Sequence, residues 1–154
     1  MTLTLYDVIK DMPMFRHFSA AEIRSFAEME NGLKQFEKND VIINEGDRLT
    51  SLYLLIEGTI LITKTGYETP ISRLTPGAVF GEMSFLTKKP RYSNVIANEQ
   101  VRVMKMDDDF FKVVSVAVKD KIKDYLIELL INRLDTMNES ISKIAKYTRT
   151  YTIK

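Results

Sequence analysis

Between Gly32 and Met106 the chain is cut into pieces too short for helices. The stretch "LKQFEKNDVIINEGDRLTSLYLLIEGTILITKTGYETPISRLTPGAVFGE" carries short runs rich in Val, Ile, Leu, Tyr and Thr, with glycines at 46, 58, 66, 77 and 81 between them. "SNVIANEQVRVMKM" then reads as a further strand pair. This spacing marks an antiparallel β-barrel or jelly roll.

The flanks read differently. In "FSAAEIRSFAEME", Ser19 and Glu22 form a capping box, and Ile23, Phe26, Ala27 and Met29 share one helical face. After Met106, Asp107, Asp108 and Asp109 can cap a helix, and no Pro or Gly follows Arg91. The reading is α+β: an antiparallel β jelly roll (a double-stranded β-helix barrel) with a short N-terminal helical segment and a long C-terminal helix. As one domain over 1–154, the helical segment takes about 1–31, the β-roll 32–106 and the C-terminal helices 107–147.

In the last third, Ile127, Leu130, Leu134, Met137, Ile141 and Ile144 alternate spacings of three and four. That is a heptad seam, narrower than the apolar stripe of a globular helix, and it suits a partner helix in a homodimer. Packing back on the chain's own barrel is the competing reading.

Composition removes several function classes. With 22 Lys and Arg against 21 Asp and Glu, no global basic field draws in nucleic acid, so any anion site is local. The absence of Cys excludes disulfides, thiol catalysis and Cys-ligated metals, and suits the cytoplasm. No membrane span or signal peptide is visible. His17, the lone histidine, has no triad neighbours, and "DDD" at 107–109 reads as a cap, so no catalytic or metal residue is expected and an enzyme is the weakest reading.

The chemistry concentrates in "FGEMSFLTKKPRYSNV", residues 80–95. If "GEMSFL" is a turn of helix entered from a strand, Gly81 allows close backbone approach, and the first amides point outward with partial positive charge. Arg91, set by Pro90, brings a planar fork of donors suited to two phosphate oxygens. Glu82 beside a phosphate needs a donor such as a sugar hydroxyl between them. Spacing alone leaves a second reading open, in which Glu82 and Arg91 pair with each other across the loop.

"DVIINEGDRLTSLYLLIEGTILI" followed by "LTPGAVFGEMSFLTKKPRYSNV" resembles the cyclic nucleotide-binding domain of catabolite activator-type regulators, kinase regulatory subunits and cyclic nucleotide-gated channels, from about Phe15 to about Leu134. The resemblance implies a phosphate-binding cassette at 80–95: Glu82 on the ribose hydroxyl, Arg91 on the cyclic phosphate, and the backbone of Gly81, Met83 and Ser84 in the cradle. It also implies Ile62 and Ile71 as apolar walls for the base, which core packing would equally explain. The ligand would be cAMP or cGMP, with no cofactor, and the output a movement of the C-terminal helix.

Tyr92 departs from the family, which carries a small residue after the arginine. A phenol there could crowd the pocket, stack over it or swing away; Ser93 and Asn94 keep the polar character. The alternative function, a degenerate barrel serving as a structural or protein-interaction module, rests on Tyr92.

Thr136 and Asn138 interrupt the seam and correspond by analogy to residues that meet the base in dimeric activators. Only 20 residues follow Leu134, so no helix-turn-helix is expected in this chain, and output would pass to an unknown protein effector. Lys88 and Lys89, and the tail of Lys143, Lys146, Arg149 and Lys154, read as solvated surface.

Overall fold

The computed structural model describes residues 2–152, with side chains described through 148; Lys154 of the basic tail and the side chain of Arg149 lie outside these. The chain divides into two units, Met1–Lys119 and Asp120–Lys154.

In the first unit, α1 (Leu5–Ile9) starts at Thr4 and α2 (Ala20–Ala27) at Ser19. Both are closed by capping boxes, with Asp7 and Glu22 returning to the cap amides. Ile23 and Phe26 face inward from α2 at 6% and 1% exposure, the face that the helical spacing selects. The Thr4–Asp7 box is the same signal in miniature.

Eight strands follow: β1 (Leu33–Phe36), β2 (Val41–Ile43), β3 (Leu52–Glu57), β4 (Ile60–Thr63), β5 (Ser72–Leu74), β6 (Val79–Phe80), β7 (Asn94–Ala97) and β8 (Val101–Met106). They form two antiparallel four-stranded sheets, ordered β1-β8-β3-β6 and β2-β7-β4-β5. The jelly-roll expectation is met.

The core lies where the two sheets face each other. Tyr53, Leu55, Phe80, Val101 and Val103 come from one sheet, and Ile43, Ile60, Val95 and Ala97 from the other. Alternation along β3 sends Leu52, Leu54 and Ile56 to the opposite face, and these are buried too. Hence "LYLLI" reads as an unbroken apolar run, as a strand covered on both faces should. Phe26 of α2 meets Phe110 edge-on at 5.5 Å, which ties the N-terminal segment to α4 (Asp108–Val113). Asp107 caps α4 by accepting from the Phe110 amide at 3.0 Å, so the acidic cluster begins a helix as its composition suggests.

Between β6 and β7 lies α3 (Glu82–Thr87), the turn of helix expected within "GEMSFL". The second unit is the described part of α5 (Val116–Thr152) from residue 120 onward. On this helix Ile127, Leu134, Met137, Ile141 and Ile144 are 55–65% exposed, while Leu130 is half-buried. No helix among the described residues is long and apolar enough to cross a membrane.

Candidate functional site

The site grows from the junction of β6 and α3. Gly81 is the N-cap of α3 at φ +79°, in the left-handed region that glycine enters without a Cβ clash. No side chain caps this helix. The first amides of a helix have no intrahelical acceptors, so the turn at 82–84 presents donors and the positive end of the helix dipole.

Arg91 closes the other side. The residue is 5% exposed, its guanidinium donating from Nη1 to the Gly81 carbonyl at 3.0 Å and from Nη2 to the Ser51 carbonyl at 2.7 Å. Of five guanidinium donors, two are thus spent on fixing the plane of the fork. Burial lowers the Arg91 pKa, while Tyr53, Asp47 and Glu82 oppose that shift through their charges. A guanidinium removed from water and held mainly by carbonyls is a strong attractor for an anion.

The main chain of Arg91 is held as firmly as its side chain. Its amide donates to the Asp47 carbonyl at 2.7 Å, and its own carbonyl accepts from the Gly46 amide at 2.8 Å. The loop after β2 thereby runs beside the cassette. Tyr53, stacked on Phe80 with centroids 5.1 Å apart, has its pKa raised by burial, an effect the Arg91 charge opposes.

Glu82 is buried at 7% and Ser84 at 4%. With Gly81 and Arg91 they make a compact group at the start of α3. Met83, by contrast, is 49% exposed, with its side chain outside that group. Ser93 is half-buried, and so is Ile62, which packs against the core between the sheets. Ile71 is 53% exposed, its amide donating to the Ile62 carbonyl at 2.8 Å just before the edge strand β5.

Tyr92 swings away. Its side chain is 73% exposed, and the Lys64 ammonium lies 3.8 Å from the ring centroid. Arg91, the residue before it, is buried, so the two neighbouring side chains face opposite ways. On α5, Thr136 donates to the Asn132 carbonyl of its own helix at 3.0 Å, and both Thr136 and Asn138 are exposed. His17 is exposed, and no cluster of metal-binding side chains occurs among the described residues.

Sequence reasoning did not find Ser51, Asp47, Glu45 and Lys64. Ser51 and Asp47 act on Arg91 through backbone carbonyls, which no residue type announces. Lys64 and Glu45 were hidden by separation along the chain.

Residues 33–115 match the family described as "Cyclic nucleotide-binding domain". The cAMP-dependent protein kinase regulatory subunit of Aspergillus niger is 30% identical over 112 residues, which cover 73% of this chain and 27% of that subunit. The CRP-like cAMP-activated global transcriptional regulator of Mycobacterium tuberculosis is 26% identical over 132 residues, covering 82% of this chain and 58% of the regulator. Among solved structures, PKAR CBD2 with Sp-2Cl-cAMPS bound superposes with a TM-score of 0.69 at 25% identity, covering 87% of each chain. The chain thus spans about a quarter of the length of the kinase regulatory subunits it matches.

Proposed function

The chain belongs to the cyclic nucleotide-binding domain family, and from that premise we propose that it is a sensor module that binds cAMP or cGMP at the start of α3. The observation that carries this reading is the buried Arg91 guanidinium, fixed by the Gly81 and Ser51 carbonyls beside an uncapped helix start and the buried Glu82. The cyclic phosphate takes the remaining guanidinium donors and the amides of Met83 and Ser84. Glu82 accepts from the ribose 2′-hydroxyl, so the sugar stands between two groups that would otherwise repel.

In this reading the chain performs no catalysis, and a bound nucleotide biases the state of α5, the reporting element. Binding can do so only to the extent that nucleotide prefers one arrangement of the helix over another. The exposed seam of α5 joins two copies, leaving a protein effector as the recipient of the signal. The compartment that suits such a module is the cytoplasm.

The alternative of a degenerate barrel drew its support from Tyr92, and the outward ring removes the steric argument for it. Isothermal titration of the wild-type chain with cAMP, cGMP and 5′-AMP tests the proposal. Saturable binding of a cyclic nucleotide, with 5′-AMP much weaker, is expected; no heat from either cyclic nucleotide would reject it.

A further inference from the structure

Lys64, which follows β4, is held by groups that come from two other parts of the β-roll, the loop after β2 and the residues before β7. Its ammonium donates to the Tyr92 carbonyl at 2.6 Å, pairs with Glu45 Oε1 at 3.1 Å and stands 3.8 Å over the Tyr92 ring. The register explains the meeting: Thr63 pairs with Asn94, so the next step along β4 brings Lys64 alongside the residues just before β7. Glu45 in turn accepts from the Thr65 amide at 2.9 Å, and its own amide donates to Asn94 Oδ1 at 2.8 Å. Both charged side chains are partly covered, at 24% and 25% exposure.

This clasp is contiguous with Arg91. The Gly46 amide, one residue past Glu45, donates to the Arg91 carbonyl, and the Tyr92 carbonyl that Lys64 holds belongs to the next residue in the chain. The Arg91–Tyr92 peptide and the one after it are therefore fixed by the loop after β2 and by Lys64 respectively. Chain direction at this point decides which side chain faces inward.

Resting on the proposed nucleotide site, we infer that Lys64, braced by Glu45, is a positioning residue for Arg91: by gripping the Tyr92 carbonyl it keeps the guanidinium aimed at the phosphate. The role belongs to the ammonium and not to the phenol, because the carbonyl it holds is present whatever side chain stands at 92. Lys64 touches no ligand in this scheme; it acts through the backbone.

The test compares wild type, Lys64→Met, Lys64→Arg, Glu45→Gln and Tyr92→Leu by cAMP titration, with thermal midpoints measured in parallel. Lys64→Met is expected to weaken binding about tenfold, the scale seen when the support of a ligand-binding group is removed. Lys64→Arg restores affinity to within about threefold, since it keeps the charge, the donor and the ring contact. Glu45→Gln weakens binding in the same direction as Lys64→Met, and Tyr92→Leu leaves it nearly unchanged. If Lys64→Met and Glu45→Gln bind like wild type, or lower only the melting temperature, the positioning role is wrong. Absence of cAMP and cGMP binding in the wild type would instead remove the site reading, and the inference with it. A ring-current upfield shift of the Lys64 ε-methylene protons in the ligand-free protein, lost in Tyr92→Leu, reports the clasp without any ligand; its absence overturns the inference.

Discussion

Arg91 and Gly81 fit each other with no room to spare: Nη1 of the guanidinium donates to the Gly81 carbonyl at 3.0 Å, and a Cβ on residue 81 would stand 2.9 Å from that same nitrogen. It would also stand 2.9 Å from the Ser51 carbonyl oxygen, the second acceptor of the fork. The glycine thus serves the helix start and the arginine pocket at once.

Gly81→Ala therefore combines two effects. The left-handed backbone at φ +79° is strained for alanine by about 1–2 kcal/mol, and the added methyl pushes on the guanidinium. Urea unfolding is expected to show a loss of that size. Cyclic nucleotide affinity falls as well, because the fork can no longer rest on both carbonyls.

Tyr92→Ala separates the outward ring from a crowding one. The ring makes a cation–π contact at an exposed site, so its loss changes stability by about 0.5–1 kcal/mol and affinity by no more than about threefold. A marked tightening in titration would mean that the phenol enters the pocket in solution.

Glu45 gives the clasp an acid limit. The Thr65 amide, then Thr65 and Lys64 contacts, hold its carboxyl at about 2, below the ordinary 4.5. A depressed carboxyl stabilises the fold fully above its unfolded value, and the benefit is lost as pH falls from about 4.5 toward 2. Glu45→Gln should therefore melt below wild type at pH 6, and the gap should close as pH approaches 2. A gap independent of pH across that range would contradict the pairing.

Ile141→Lys tests the seam on α5. Ile141 is 59% exposed, so a lysine there leaves the folded chain intact and removes an apolar seam position. Sedimentation is expected to show wild-type dimers and Ile141→Lys monomers with unchanged helicity. A monomeric wild type would remove self-association from the proposal.

How far the sequence could be read follows from the range of each interaction. The Ser19–Glu22 box, the Asp107 cap and the glycine-spaced strands are local, and they were legible because cap and turn chemistry is decided within a few residues. Gly81, Glu82 and Arg91 were legible through a family pattern, although their meeting depends on α3 and the loop that follows it. Covering of β3 on both faces showed only as an apolar run, which a buried helix segment could equally produce. The Lys64–Tyr92 contact joins residues that sheet register alone brings side by side, and the Ser51 carbonyl that holds Arg91 is a backbone group. Ile62 and Ile71 illustrate the reverse: two similar residues looked alike in the sequence, yet one packs on the core and the other stands exposed beside an edge strand.

The most direct test is cAMP and cGMP titration of wild type beside Arg91→Ala and Arg91→Lys. Removing a buried charge that binds phosphate is expected to cost about 2–4 kcal/mol, with Arg91→Lys recovering little because an ammonium cannot rest on both carbonyls and keep a fork for phosphate. Arg91→Ala binding either nucleotide as tightly as wild type would contradict the assignment of this guanidinium to the phosphate.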